Sequence, residues 1–184
     1  MSTIGTFTQV SIDGYFAGPN GEIDWFKNIE RDDEYDRYMH QSASSRNTLL
    51  MGRTTYEMMK SFWPTEAASK MDPDMASVMN ESPKVVISKS LQDPGWKNVR
   101  VLREITREAI EQLKRENAIT ILGSGSIIQQ LTNLGLIDEY FLVHIPVVLG
   151  AGKSLFDNVE MKHLKLSESK SFGNGIVVTK YAPR

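Results

Sequence analysis

Apolar and polar residues alternate along the chain in segments that predict strands and helices in turn. Short β-branched runs such as Val85-Val86-Ile87 are typical of buried strands. A stripe formed by Ile105, Ile110 and Leu113, with charged residues opposite, predicts the clearest helix. The predicted strands are 3–10, 48–51, 84–88, 99–102, 118–122, 140–148, 165–172 and 176–181, and the predicted helices are 32–44, 54–62, 72–80, 104–117 and 126–134.

The order of these elements predicts an α/β fold with a mostly parallel central sheet flanked by helices. Strands and helices alternate along most of the chain, which is the pattern of parallel sheets. Gly173-Asn174-Gly175 joins the last two strands and favours an antiparallel C-terminal hairpin. The 184 residues contain no internal repeat and no linker rich in Pro, Gly or Ser, so we expect one domain over residues 1–184.

Composition and charge narrow the class of protein. A net charge of -2 argues against a nucleic-acid partner, because such proteins carry a basic stripe. No apolar run reaches the roughly 18 residues that span a bilayer. The segment Met1-Ser2-Thr3-Ile4-Gly5 lacks the features of a signal peptide, so we expect a cytoplasmic protein without a membrane partner. The chain has no cysteine and its three histidines lack metal-site spacing, so no metal is expected.

The segment Gly123-Ser124-Gly125-Ser126 follows one predicted strand and opens the next helix. Glycines let a ligand approach the backbone, and free N–H groups at a helix start favour an anion such as a pyrophosphate. The dinucleotide-binding fingerprint is incomplete, because Ile128 stands where its third glycine would be. An ordinary capped turn is the alternative for this segment.

Two more strand ends carry residues suited to phosphate. Gly52-Arg53-Thr54 offers a planar cation and a hydroxyl, and Ser88-Lys89-Ser90 offers a cation between two hydroxyls. Each could be purely structural, as a capped helix or a surface turn. Ligands of open α/β sheets collect at such strand ends, so the three turns together favour one extended, phosphorylated ligand.

Four segments resemble the dihydrofolate reductase superfamily. They are M-G-R-T-T-Y-E (51–57), S-I-D-G-Y-F-A-G (11–18), G-S-G-S-I-I-Q-Q-L-T-N-L-G-L-I-D-E-Y (123–140) and P-V-V-L-G-A-G-K-S-L-F (146–156). The last two are similar to the reductase domain of the riboflavin-biosynthesis deaminase–reductases and its stand-alone bacterial relatives. The resemblance covers nearly the whole chain. It implies a dihydrofolate reductase-like fold, a homodimer, and NADPH-dependent reduction of a small heterocyclic or carbonyl substrate, such as 5-amino-6-(5-phosphoribosylamino)uracil.

The resemblance also implies a set of cofactor-binding residues. Arg53 and Thr54, after Gly52, would hold phosphates, and Ser88 and Lys89 would lie near the adenosine 2′-phosphate. The cations Arg53 and Lys89 favour NADPH over NADH, since NADH sites usually show an acid for the ribose hydroxyls. The full set is Gln9, Ala17 and Gly18 at the nicotinamide, Gly52, Arg53, Thr54, Ser88 and Lys89 at phosphates, and Gly123, Ser124, Gly125, Ser126 and Ile127 at the pyrophosphate.

The substrate half is less clearly marked. By the resemblance, Asp24 compares with the carboxylate that serves the pterin ring and is the candidate proton donor, although it could equally cap the following turn. Trp25 and Asp13 are the substrate-binding candidates. Riboflavin-pathway reductases typically show an Asp-rich segment where this chain has Met58-Met59-Lys60-Ser61, so another heterocyclic or carbonyl substrate is an alternative. A non-catalytic NADPH-binding or sensor protein on the same scaffold is the alternative function, followed by an interaction domain without cofactor.

Overall fold

The computed structural model describes residues 2–184 as ten strands, six α-helices and one short 3-10 helix. The strands are β1 (Ile4–Ser11), β2 (Tyr15–Ala17), β3 (Thr48–Gly52), β4 (Lys84–Ile87), β5 (Val99–Leu102), β6 (Ile119–Leu122), β7 (Glu139–Ile145), β8 (Lys153–Ser154), β9 (Leu164–Ser171) and β10 (Val177–Pro183). The α-helices are α1 (Asp33–Ala43), α2 (Arg53–Phe62), α3 (Glu66–Met71), α4 (Pro73–Glu81), α5 (Arg107–Glu116) and α6 (Gly125–Asn133), and the 3-10 helix is Asp24–Phe26.

Eight strands form one sheet in the order β5-β4-β3-β6-β1-β7-β10-β9. The first six of these run parallel, while β10 is antiparallel to both β7 and β9. This confirms the α/β fold with a mostly parallel sheet, flanking helices and an antiparallel C-terminal hairpin. The carboxyl ends of β3, β4 and β6 therefore lie at the same end of the sheet. The three candidate phosphate turns follow these strand ends.

Hydrophobic side chains cover both faces of the sheet, because residues along a strand point alternately to either side. On one face, Ile4 and Val10 of β1 pack with Ile110 of α5 and Leu131 of α6. On the other face, two apolar clusters pack against α1, α2 and α4, and the ring of Phe7 contacts both. The second face matters for function because a cleft runs between these two clusters.

Five elements differ notably from the sequence prediction. Helix α5 begins at Arg107 rather than at 104, because Thr106 is its N-cap and accepts a hydrogen bond from Ala109 N at 3.2 Å. Strand β7 ends at Ile145, since Pro146 has no N–H with which to continue the ladder. The short elements α3, β2 and β8 were not predicted, because each has too few residues to show a period.

The sheet order shows which strands flank the apolar segment 140–148. Strand β7 lies inside the sheet, between β1 and β10, so it cannot form an exposed edge. The outer strand of the C-terminal hairpin, β9, is the edge strand on that side, and its Leu166 is 49% exposed. Any pairing of sheets between two copies of the chain would have to use an edge strand, which is β9 on this side and β5 on the other.

Two kinds of feature are absent from the described residues, 2–184. No helix there is long and apolar enough to cross a membrane. No group of three or more His, Asp or Glu side chains there is arranged to hold a metal ion.

The buried Lys84 makes a specific prediction about pH. Its side chain is almost completely buried, its Nζ donates to the carbonyls of Asn80 (3.0 Å) and Ser82 (2.8 Å), and burial lowers its pKa from 10.5 to about 8. At a pH between these two pKa values, the Lys84 side chain is protonated in the unfolded chain but mostly neutral in the folded protein. The free energy of unfolding therefore increases as pH rises through this range. We expect a gain on the order of 2 kcal/mol between pH ~7.5 and ~10 that the variant Lys84→Met lacks.

Urea unfolding of both proteins at the two pH values measures this difference. The comparison cancels the titration of tyrosines and other groups common to both proteins. An identical pH dependence of the free energy of unfolding in wild type and Lys84→Met would contradict the assignment.

Candidate active site

The three candidate phosphate turns are hydrogen-bonded to one another. Arg53 Nη1 donates to Ser90 Oγ at 2.7 Å, which joins the turn after β3 to the turn after β4. The N–H of Gly52 donates to Ser124 Oγ at 2.8 Å, and that hydroxyl donates to Thr55 Oγ1 at 3.0 Å. These bonds join the turn after β3 to the turn after β6. The structure therefore brings together residues that are 72 positions apart in sequence.

Two helix starts at these turns suit an anion. Neither N-cap residue, Gly52 for α2 or Ser124 for α6, caps its helix through a side chain. The first N–H groups of a helix lack intrahelical acceptors and carry partial positive charge. Arg53 adds a cation at the positive end of α2, which is unfavourable for the helix alone, and Glu57 pairs with it at 2.6 Å. An anion bound between the two helix starts would accept hydrogen bonds from N–H groups of both helices.

At the turn after β6, the backbone conformation favours glycine at position 123, and the small size of glycine at position 125 leaves room for Phe16. Gly123 has a φ of +60°, a left-handed conformation that side chains disfavour. A Cβ on Gly125 would lie 2.5 Å from the ring of Phe16, which packs over the start of α6. Phe16 belongs to β2, which pairs with β8 to form a small ribbon at this end of the cleft. The ribbon therefore packs directly on the glycine turn at this end of the cleft.

A single cleft of about 1390 Å³ is lined by the turns after β3 and β6 and continues over the sheet. It has two parts. The first, which we call the phosphate half, is lined by the turns after β3 and β6 and by the β2–β8 ribbon. The second lies between the two apolar clusters and is lined by α1, α2 and α4 over a floor that includes Phe7.

The structure places most of the proposed cofactor residues on this cleft. Lining it are Gln9, Ala17, Gly52, Arg53, Thr54, Gly123, Ser124, Gly125, Ser126 and Ile127. Gly18, Ser88 and Lys89 are outside the lining. Gly18 is nevertheless the buried neighbour of Ala17, so it lies next to the wall rather than on a separate surface.

Ser88 and Lys89 shape the turn after β4. Ser88 is buried, and its hydroxyl accepts the N–H groups of Ser90 (3.3 Å) and Leu91 (3.1 Å). Lys89 is exposed beside it. The sequence analysis missed Arg103, whose Nη1 donates to the carbonyls of Ser88 (3.1 Å) and Lys89 (3.3 Å). Arg103 follows β5, so only the sheet order reveals that it adds a second cation at this corner.

Asp13, Asp24 and Trp25 lie beside the cleft and not in its lining. Asp13 is exposed, and hydrogen bonds from the Ser11 side chain and the N–H groups of the loop after β7 hold its pKa below the ordinary value. Asp24 is exposed at the start of the 3-10 helix. Trp25 is half-buried and packs edge-to-face on Phe26, with ring centroids 5.3 Å apart. The neighbours that do line the cleft are Ile23 and Phe26.

The second half of the cleft was not predicted as a site. Its walls carry methionines and a tryptophan from helices far apart in sequence, including Met39, Met59, Met75, Met79 and Trp63. The one available signal was the replacement of an expected acidic segment by Met58-Met59. That signal marked a departure from a pattern but could not show which side chains meet.

Comparisons with known proteins agree with this architecture. The Bacillus subtilis protein YyaP is 29% identical over 175 residues, which cover 94% of this chain and 90% of YyaP. A putative riboflavin biosynthesis protein from Shewanella sp. PV-4 has the same fold, with a TM-score of 0.79, 23% identity and coverage of 100% and 99% of the two chains.

A more distant structure shares the fold over part of its length. It is the diaminohydroxyphosphoribosylaminopyrimidine deaminase/5-amino-6-(5-phosphoribosylamino)uracil reductase of Thermotoga maritima, with a TM-score of 0.67 and 14% identity. This chain is covered completely and matches 57% of that protein. The family model of the RibD C-terminal domain matches residues 2–178, nearly the full length. This confirms the resemblance seen in the sequence, and the chain therefore belongs to the RibD C-terminal domain family, a family of reductase domains.

Proposed function

We propose that this protein is an NADPH-dependent reductase that acts on a small heterocyclic or carbonyl substrate. The observation that supports this most is the set of hydrogen bonds joining Gly52, Arg53 and Ser124 around one cleft. Two helix starts, a cation and a glycine turn provide what a pyrophosphate needs. Membership of a reductase family gives the site its chemistry.

The residues fit an NADPH molecule laid across the sheet edge. Within the turn 123–127, the N–H groups of Gly125 and Ser126 would hold the pyrophosphate, because those of residues 123 and 127 already donate to backbone carbonyls. Arg53 and Thr54 would contact adjoining phosphate oxygens. Lys89, with Arg103 beside it, would favour the 2′-phosphate that distinguishes NADPH from NADH. Gln9 and Ala17, on the same cleft, would line the nicotinamide. When bound, NADPH supplies a hydride.

The protein contributes position and exclusion of water to this reaction. Phe16 packs over the glycine turn, so the ribbon that carries it would cover the bound cofactor. The proton that completes the reduction must reach the product from a side chain or from water. Since Asp24 is exposed outside the cleft lining, we propose water as the proton source, with Asp24 at most influencing it from the rim.

The proposal also includes a candidate substrate and an oligomeric state. A reaction like that of 5-amino-6-(5-phosphoribosylamino)uracil reductase is one candidate, named for the Thermotoga maritima protein. We also propose a cytoplasmic homodimer formed through the edge strand β9, whose Leu166 is 49% exposed. Light scattering distinguishes such a dimer from the 20.8 kDa monomer.

Thermal unfolding with cofactors tests the proposed function. A ligand that binds only the folded state stabilises it by about 2.7 kcal/mol at a hundredfold excess over Kd. For a chain of this size that corresponds to a rise in Tm of roughly 5 to 10 °C. We expect this rise with NADPH and a smaller one with NADH at equal concentration. No shift at millimolar NADPH would contradict the proposal, and equal shifts would contradict the preference for NADPH.

Activity with a panel of pterins, pyrimidines and carbonyl compounds separates the two functions that NADPH binding allows. Oxidation of NADPH with any of them supports the reductase. Binding without oxidation across the whole panel would instead support the non-catalytic NADPH-binding or sensor protein.

The role of Arg53 is tested by Arg53→Ala. Removing a charged donor to phosphate should raise the Kd for NADPH roughly tenfold to a hundredfold, measured by fluorescence titration. Arg100→Ala is the matched control, because Arg100 is also a half-exposed arginine, pairs with Glu116 at 3.0 Å and lies outside the cleft. An unchanged Kd in Arg53→Ala, or an equal rise in Arg100→Ala, would exclude Arg53 as a phosphate ligand.

A further inference from the structure

The second half of the cleft has a distinct composition. Five of the eight methionines among residues 2–184 line the cleft: Met39, Met58, Met59, Met75 and Met79. We call the part between the two apolar clusters the methionine groove, defined by Phe7, Met39, Met59, Trp63, Met75 and Met79. Thioethers pack well against aromatic rings and adapt to irregular apolar shapes, so such a surface suits a flat conjugated ring system.

Contacts between neighbouring elements form the floor and the walls of the groove. Phe7 lies in its floor, and its ring packs edge-to-face on Phe141 with centroids 5.4 Å apart. One wall is α1 and the other includes α4, and the side chain of His40 on α1 contacts Asp72 at 2.8 Å. Asp72 is also the N-cap of α4, accepting from Met75 N at 2.9 Å. This contact links the two walls of the groove directly to each other.

Charges along the cleft disfavour a second phosphate. Among residues 2–184, the cations that line it are Arg53, Lys153 and Lys180. Arg53 belongs to the phosphate half, and Lys153 is on the β2–β8 ribbon beside it. Lys180, at the groove end, is paired with Glu168 at 2.8 Å, and Asp138 and Glu139 line the same end. A substrate phosphate would lose its hydration here without finding an unpaired cation.

The titratable groups favour an acceptor that needs no acid catalyst. In the described part of the chain, no histidine or tyrosine lines the cleft. Its carboxyl groups are those of Asp138, which is paired with Lys114 at 2.6 Å, of Glu139, and of the exposed Asp157. Reduction of a simple ketone creates a strongly basic alkoxide, which calls for a nearby proton donor. Reduction of a quinone creates a delocalised phenolate, which is a weak base and takes its proton from water.

We propose that the methionine groove binds an uncharged quinone ring system as the hydride acceptor. The inference rests on the proposed reductase function for its redox partner. In the reaction NADPH is oxidised to NADP⁺, and the quinone gains the hydride, which carries two electrons and one proton. A second proton from water completes the hydroquinone, so atoms and electrons balance.

Binding is tested first, without NADPH. Menadione, an uncharged naphthoquinone, should quench the fluorescence of Trp63 on binding, and an anionic naphthoquinone sulfonate should bind at least tenfold more weakly. Trp63→Phe removes the reporter and leaves Trp25 and Trp96, so most of the quenching should disappear. Equal or tighter binding of the sulfonate, or undiminished quenching in Trp63→Phe, would overturn the inference.

A matched pair of variants then locates the site. Met39→Gln keeps the size of the side chain but adds an amide to the groove, and should raise the KM for menadione about tenfold. Met161→Gln is the control, because Met161 is 86% exposed and outside the cleft. The Kd for NADPH should stay constant in both, which shows that the variants are folded, and Met39→Leu should restore the wild-type KM. Equal effects at positions 39 and 161 would overturn the inference.

The two proposals fail differently. Menadione binding at Trp63 in a protein that does not bind NADPH would refute the reductase and leave the groove assignment standing. Oxidation of NADPH with a phosphoribosylated pyrimidine but not with menadione would support the reductase and refute the quinone.

Discussion

The Ser124 hydroxyl is the contact on which the site depends. It accepts from Gly52 N at 2.8 Å and donates to Thr55 Oγ1 at 3.0 Å, so it fixes the start of α6 against the start of α2. Because that hydroxyl is used in this way, it does not cap its own helix. The N–H groups of Gly125 and Ser126 remain available to an anion, whereas that of Ile127 donates to Ser124 O at 2.9 Å. The phosphate half of the cleft therefore depends on the contact between Ser124 and the start of α2.

The fold was largely predictable because its signals are local. The β-branched run before Ser88 and the hairpin at Gly173-Asn174-Gly175 each fixed an element within a few residues of its true bounds. The start of α5 was misplaced because Ile105 continues the apolar stripe of the helix towards the N-terminus. The helix nevertheless begins only after Thr106, which is its N-cap. The pairing of β2 with β8 joins segments more than 130 residues apart, and neither has a periodic pattern.

The two halves of the cleft differ in how well their residues can be recognised from the sequence. The phosphate half is marked by glycine next to Arg53 and by the Gly-Ser turn, so each of its parts could be recognised separately. Arg103 and the methionine groove could not be, because their residues become neighbours only through the sheet order and the packing of α1 against α4. Met39 and Met75 look like ordinary core residues in sequence, and only their position on an open cleft gives them another role.

The central claim is that three turns of one sheet edge form a single dinucleotide site. A crystal structure of the protein soaked with NADPH tests it most directly. The account predicts electron density for the pyrophosphate within hydrogen-bond distance of the N–H groups of Gly125 and Ser126, with Arg53 contacting a phosphate oxygen. Cofactor density on another face of the sheet, or an unoccupied cleft at saturating NADPH, would contradict it.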